Sequence, residues 1–453
     1  MDTAAQDRRI ARYNLPVPRY TSYPTAPHFG PAVTTEVYRR WLAGLARAGS
    51  LSLYVHVPFC ARLCWFCGCH TRVINAYEPV AEYVGVVLDE ARAVAAAIGA
   101  APPVRHVHWG GGTPSNLRDH DVLRLADGLH RAFPFAADAE FAVEIDPRTL
   151  TAETVTALAA AGVNRASLGV QDFDPSVQAA INRHQTYAMT ATAVEALRRR
   201  GIRRVNIDLM YGLPGQTVAG IERTVDQAVT LSPDRLALFG YAHVPWLKKH
   251  QRLIDESRLP DGGARFRQAV VAAERLVGHG YVAIGLDHFA RPDDALAIAA
   301  RNGGLRRNFQ GYTTDAADAL IGLGASAIGA LPEGYVQNVV AIAEYAAAVH
   351  AGRLATARGV VLDADDRLRR DVIERLMCDL AVDLATIAAR HGVAVDAFDD
   401  DVAALDPMVD DGLVTIEGSR VGVTEAGRPF LRVAAAAFDR HARAGVARHA
   451  RAV

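Results

Sequence analysis

The sequence carries almost no net charge: 49 basic residues stand against 50 acidic ones, leaving −1 over 453 residues. No global field therefore draws the chain to nucleic acid or to an anionic membrane. Its first residues, Met1 to Arg9, lack the apolar core of a secretory signal. No apolar run approaches the ~20 residues that span a bilayer; the stretch from Val339 to Val349 is short and carries Glu344. These absences predict a cytoplasmic chain with no membrane span. Cysteine is scarce, and four of the five crowd into ten residues, too close together to staple a fold by disulfides. Half the residues are hydrophobic and 22% charged, which fits two or three globular domains. The basic tail, Arg440, Arg443, Arg448 and Arg451, reads as a solvated helix face and not as a nucleic-acid patch.

The crowded cysteines are Cys60, Cys64, Cys67 and Cys69, spaced C-x3-C-x2-C-x-C. This is neither the paired C-x2-C of a zinc ribbon nor the ferredoxin run. Three thiolates on one short loop can take three corners of a [4Fe–4S] cube and leave one iron open to a small molecule. A zinc knot and a redox-sensing thiol group are the alternatives. Phe59, Trp65 and Phe66 form an aromatic sheath suited to a cluster kept from water. The fifth cysteine, Cys378, lies in an apolar helical stretch and reads as a small buried hydrophobe.

Between residues 50 and 280 strands and helices alternate. Apolar, β-branched runs at 51–57, 107–109, 141–145, 166–170, 205–209 and 236–239 read as strands. Pro79, Thr151, Asp174-Pro175 and Thr186 open helices between them, and Gly162 and Gly201 close two. Repeated strand–helix units imply parallel strands with right-handed crossovers.

Polar or unusual residues follow nearly every strand: the cysteine loop, then Gly110 to Pro114, Glu144 with Asp146, Gln171-Asp172, Asp208, and Tyr241 to His243. A barrel collects all such ends at one mouth, whereas an open sheet binds its ligand at a single switch point. The expectation is an α/β fold, an incomplete (β/α)6 barrel. The glycine run is either a tight turn or a cradle for an amino-acid carboxylate or amino group; the Gly-Lys-Ser/Thr ending of a P-loop is missing. Glu144 can accept from ribose hydroxyls, Asp208 points into the barrel and needs a partner, and Arg183 can pair with it or with a ligand carboxylate. Residues 1–49 read as an extended, proline-bearing arm followed by a helix near 37–46, with the arm as a cover over the mouth. Residues 356–453 read as helical with a small hairpin at 413–423, a winged-helix-like lobe.

With these motifs in place, the chain resembles the oxygen-independent coproporphyrinogen III oxidases, radical S-adenosylmethionine (SAM) enzymes of heme synthesis. The resemblance runs nearly end to end: YTSYPT at 20–25, the cysteine loop, GGGTP at 110–114, GVQDF at 169–173, NR at 182–183 and NIDL at 206–209. It continues in GLP at 212–214, YAH at 241–243, DHF at 287–289, RNFQGY at 307–312 and DGL at 411–413. It implies a radical SAM partial barrel over residues 50–355, covered by the arm and followed by the C-terminal lobe.

It also implies that Cys60, Cys64 and Cys67 ligate a [4Fe–4S] cluster, while Cys69 is required for catalysis without being a ligand. Two SAM molecules are implied. Tyr54, Gly111, Glu144 and Ile328 match contacts of the one at the open iron. Phe66, Gly112, Thr113, Gln171, Arg183, Asp208 and Ala242 match contacts of the second. The implied reaction turns two propionates of coproporphyrinogen III into vinyl groups. It needs a flavodoxin- or ferredoxin-type electron donor and an acceptor, and the chain is expected to be a monomer. The substrate's carboxylates call for cations, with Arg19, Lys248, Lys249, Arg306 and Arg307 as candidates. The alternative is a heme-binding relative without decarboxylase activity, which the presence of Cys69 and of the arm disfavours.

Overall fold

The computed structural model describes residues 3–442 and 451. Its centre is a sheet of twelve strands. The first six are β1 (Leu51–Val57), β2 (Val104–Gly111), β3 (Phe135–Ile145), β4 (Arg165–Gln171), β5 (Arg204–Tyr211) and β6 (Arg235–Gly240), and neighbours pair in parallel. Beyond β6 lie β7 (Val282–Ile284) and β8 (His288–Ala290), with β8 antiparallel to β6. On the other side β9 (Ala319–Leu323) runs parallel to β1, and β10 (Ile328–Leu331), β11 (Gly334–Asn338) and β12 (Thr356–Val361) follow antiparallel. The outermost strands, β7 and β12, do not pair with each other, so the barrel is incomplete.

All six expected strands are present, and β9 is an additional parallel strand the sequence reading did not contain. Its five residues are all buried, so it shows no alternation to mark it.

Alternation within the strands explains how the barrel holds together. Leu53, Val55, Val107, Trp109, Val143, Leu168, Ile207 and Leu236 join one hydrophobic core with the surrounding helices. The intervening residues face inward and are polar: Tyr54, His56, His108, Glu144, Ser167, Asn206 and Asp208, several of them hydrogen-bonded to one another. Helix caps appear where the sequence placed them. Thr151, Asp174 and Thr186 side chains each accept from backbone N–H groups of the helices they open, Ala152–Ala160, Pro175–Ala180 and Tyr187–Arg199.

The arm differs from the expectation. It begins with a helix, α1 (Thr3–Tyr13), followed by an extended run, and then α2 (Thr35–Gly44), close to the expected second helix. Ile10, Tyr13, Val17, Tyr20 and Tyr23 pack into one core with Phe398, Phe430 and Phe438 of the C-terminal region, and the Tyr13 hydroxyl donates to Asp411 at 2.6 Å. The apolar residues of α1 are too sparse to announce a helix, and packing supplies what local pattern lacks.

Residues 363–442 form a helical lobe with a three-stranded sheet of Ala381–Asp383, Val414–Glu417 and Arg420–Val423. Cys378 is buried there, as expected. Arg440 is not a solvated charge: it pairs with Asp363, Asp365 and Asp366 at 2.7–2.8 Å, at the N-terminus of helix Ala364–Asp379. Arg443 and Arg448 lie outside the described residues. Among the described residues no helix is long and apolar enough to cross a membrane.

Glu90 fastens the outer helix Glu78–Ile98 to the β9–β11 side of the sheet. It accepts from the Gly324 N–H at 2.7 Å, Asn338 Nδ2 at 2.6 Å and the Tyr345 hydroxyl at 2.6 Å. Burial pushes its carboxyl up to about 7. Glu90→Ala leaves three buried donors unpaired and should lower unfolding stability by about 2–4 kcal/mol. Exposed Glu82→Ala on the same helix should stay within about 0.5 kcal/mol. Equal denaturation midpoints for the two variants would contradict this role.

Candidate cluster and nucleotide site

The cysteine loop leaves the end of β1 and returns through a short parallel pairing of Phe59–Cys60 with Arg72–Val73. Each thiol has its own partner. Thr113 Oγ1 approaches Cys60 Sγ at 3.5 Å. Cys64, buried, receives Arg148 at 3.3 Å and Arg183 at 3.4 Å. The Cys69 N–H points at Cys67 Sγ at 3.4 Å, and the hydrogen bond from the Cys69 thiol lowers Cys67 to about 7. Burial raises Cys60 to about 11 in the absence of a metal. Among the described residues, no three Cys, His, Asp or Glu side chains close on a single ion.

Behind Cys64 lies a buried charge cluster. Asp146 at the end of β3 pairs with Arg148 at 2.6 Å and Arg183 at 3.5 Å. Burial pushes the Asp146 carboxyl up, but the two guanidinium groups outweigh it and hold it below its usual range. Arg183 also donates to the Gly169 carbonyl of β4, and its buried Nε has no hydrogen-bond partner among the described residues. A buried donor left without a partner is costly, so this atom suits a bound carboxylate.

Glu144 stands on the same face of β3 as Asp146. It accepts from the Gly111 N–H at 3.0 Å and pairs with His108 at 3.1 Å. Burial opposes its ionisation, yet these partners hold its carboxyl below the ordinary range, so it is an acceptor at neutral pH. Asp208 accepts from Ser167 at 3.1 Å and Asn206 at 2.7 Å. Burial, then the charge of Glu144, raises it to about 6.

Gly110 to Gly112 line the cradle tightly. A Cβ on Gly110 would lie 2.7 Å from Glu144 Oε1, and one on Gly112 would lie 2.7 Å from the backbone N and O of Phe59. Thr113 is buried beside this run. Gln171, also buried, has φ 72° at a register shift between β4 and β5, a bulge that re-aims its side chain.

The remaining predicted residues fall around this centre. Tyr54 hydrogen-bonds His56 at 2.9 Å and stacks on His108. Its register partner Gly322 abuts the backbone of Ile328, so Ile328 sits one strand pair away from Tyr54. Phe66 packs near Val177, Leu213 and Tyr241. Ala242 follows β6, and its carbonyl accepts from Gln251. The segment that carries Lys248, His250 and Gln251 latches onto the carbonyls of Cys69, Cys67 and Phe66 at 2.7–3.0 Å.

Arg148, His56 and His108 were missed in the sequence. The two histidines alternate with Tyr54 and His106 on strands already recognised, and Arg148 follows Asp146 by two, so a facing argument could have found them. Of the candidate substrate cations, Arg19 lines the cavity next to the mouth, Lys248 donates to the Cys69 carbonyl, Arg306 pairs with Glu374, and Arg307 is buried beside Tyr312 and Asp287.

The fold and this loop define a radical SAM protein. The radical SAM superfamily matches residues 54–228, and the HemN C-terminal domain matches residues 362–430. The chain is 52% identical over 437 residues to the oxygen-independent coproporphyrinogen III oxidase of Bradyrhizobium diazoefficiens, covering 96% of this chain and 97% of the relative. It is 45% identical to the enzyme of that name from Paracoccus denitrificans, covering 97% of each. The solved coproporphyrinogen III oxidase of Escherichia coli superposes with a TM-score of 0.89 at 38% identity, covering 93% of this chain and 97% of that one. The chain belongs to the oxygen-independent coproporphyrinogen III oxidase family of radical SAM enzymes. The superfamily's cofactors are a [4Fe–4S] cluster and SAM, and the donor set above fits both.

Gly112→Ala should cost about 1–3 kcal/mol, because the new methyl meets backbone that has little room to yield. It should also lower the iron content of reconstituted protein by displacing the Cys60 end of the loop. Unchanged melting and iron content would show that the cradle is looser than described.

Proposed function

We infer that this chain converts coproporphyrinogen III to protoporphyrinogen IX without oxygen, turning two propionates into vinyl groups with loss of carbon dioxide. The observation that carries this reading is the cysteine loop: three separately partnered thiols at the mouth of a parallel barrel, in a chain that matches coproporphyrinogen oxidases over nearly its whole length.

A propionate β-carbon offers only strong C–H bonds, which no side chain at this mouth can break. The cluster and SAM, when bound, supply the one-electron chemistry that can. The protein's own work is to bind, orient and exclude water. Cys60, Cys64 and Cys67 would hold the cluster. Arg148 and Arg183 donate to the Cys64 sulfur. Cys69 keeps its proton, donates to Cys67 and serves the reaction without being a ligand.

Tyr54, Gly111, Glu144 and Ile328 would receive the SAM at the open iron, with ionised Glu144 accepting from ribose hydroxyls. Phe66, Gly112, Thr113, Gln171, Arg183, Asp208 and Ala242 would receive a second SAM. The unsatisfied Arg183 Nε supports a carboxylate there. The N-terminal arm covers the mouth as part of the substrate's enclosure. A flavodoxin- or ferredoxin-type protein would reduce the cluster, a separate acceptor would take the final electron, and the enzyme would act as a cytoplasmic monomer.

Anaerobic incubation of reconstituted protein with SAM, a reductant and coproporphyrinogen III should yield the divinyl product. Stoichiometric heme binding without that product would instead favour a heme carrier. Cys60→Ala, Cys64→Ala or Cys67→Ala should abolish the brown cluster absorbance. Cys69→Ala should keep it and stop turnover, and loss of iron in that variant would refute the division of roles. Asp208→Ala should weaken SAM binding about tenfold without loss of iron; unchanged affinity would remove Asp208 from the nucleotide site.

A further inference from the structure

Past Tyr241 and Ala242 the barrel mouth opens into a cavity of about 800 Å³, within the size range that encloses a large organic ligand. Strand ends form one side, the N-terminal arm another, and Phe266 and Phe430 supply aromatic wall. Two of the arginines that line it, Arg265 and Arg19, make no ion pair among the described residues. Arg265, half-buried in the first turn of helix Gly262–Gly278, donates its backbone N–H to the Asp261 carbonyl, but its side chain makes no hydrogen bond or ion pair among the described residues. Its guanidinium has only the Tyr211 ring, 5.9 Å from its centroid, and the Gly212 backbone beside it. Arg19, on the extended part of the arm, donates to the Gly240 carbonyl at 2.9 Å and has no carboxylate within ion-pair distance among the described residues.

The acids that line the cavity make no ion pair with these two among the described residues, though Asp287 and Arg19 attract each other across it. Glu425 is committed to Arg428 at 2.8 Å, Asp287 to His288 at 2.7 Å, and Glu274 is exposed. Burial, reinforced by the like charge of Arg19, lowers Arg265 from its ordinary value. A guanidinium held this way is unfavourable until an anion arrives, and its planar fork fits a carboxylate.

We propose that Arg265, with Arg19 at the arm, is the carboxylate clamp that grips propionates of the substrate in this cavity. The clamp rests on the coproporphyrinogen reading for the identity of its ligand. Its chemistry alone would also accept the amino-acid carboxylate of SAM, but the cavity's volume and aromatic walls suit a tetrapyrrole body. Sequence reading could not find Arg265, because it lies in none of the matched motifs and its helix places it.

The test is an anaerobic titration of the reconstituted full chain with coproporphyrin III, the oxidised tetracarboxylate, which needs no turnover. Arg265→Ala should weaken this binding about tenfold or more, with Arg265→Lys in between and Arg19→Ala weakened in the same sense. Iron content and SAM affinity should match wild type, and the uncharged tetramethyl ester should bind wild type and Arg265→Ala alike. If Arg265→Ala melts early, Arg265→Gln, of similar length, carries the same comparison. Unchanged coproporphyrin III affinity overturns the clamp. Weakened SAM affinity with unchanged coproporphyrin III affinity overturns it too, and assigns Arg265 to the nucleotide. Wild-type protein that forms no vinyl product yet binds coproporphyrin III through Arg265 would refute the decarboxylase reading and leave the clamp standing.

Discussion

The site depends on how one buried sulfur is balanced. Cys64 sits between the guanidinium groups of Arg148 and Arg183, and Asp146 pairs with both from behind. These four residues come from the loop after β1, the end of β3, the turn after it, and the segment that leads away from β4. Buried charges are tolerable only as a complete set, and removing one member leaves the others uncompensated. Three strand ends are thereby locked together at the point where the cluster must be held.

Around this lock the barrel separates two tasks by simple alternation. Outward residues are apolar and pack under helices, while inward ones are polar and converge at the mouth. Glu144 and Asp208 illustrate the consequence. Both are carboxylates in the barrel interior, yet His108 and the Gly111 N–H keep the first ionised, while burial and the neighbouring charge raise the second to about 6. Environment gives two like groups different affinities for a proton. The segment 248–251 presses on the cysteine loop's carbonyls, so the loop is held from outside as well as from within.

Much of this was legible in the sequence because the signals were local. Thr151, Asp174 and Thr186 announce helix starts through their own side chains, and the six barrel strands announce themselves through short β-branched runs. The cysteine spacing and the glycine run name the chemistry without any structure. What stayed hidden depends on distant packing. Strand β9 is buried on both faces and shows no period. Helix α1 has too few apolar residues to signal itself, yet folds against Phe430 and Phe438 some four hundred residues away. Arg440 looks like a free charge until the acidic helix start beside it is known. Arg148 and Arg265 are ordinary arginines in sequence and acquire meaning only from a neighbouring sulfur or an empty wall.

The central claim is that three sulfurs hold an iron–sulfur cube with one corner left for SAM. Electron paramagnetic resonance of the reduced, reconstituted chain, titrated with SAM and paired with metal analysis, tests it most directly. The account predicts about four irons per chain and a signal that changes as SAM binds. Zinc in place of iron, or a cluster whose signal ignores SAM, would contradict it.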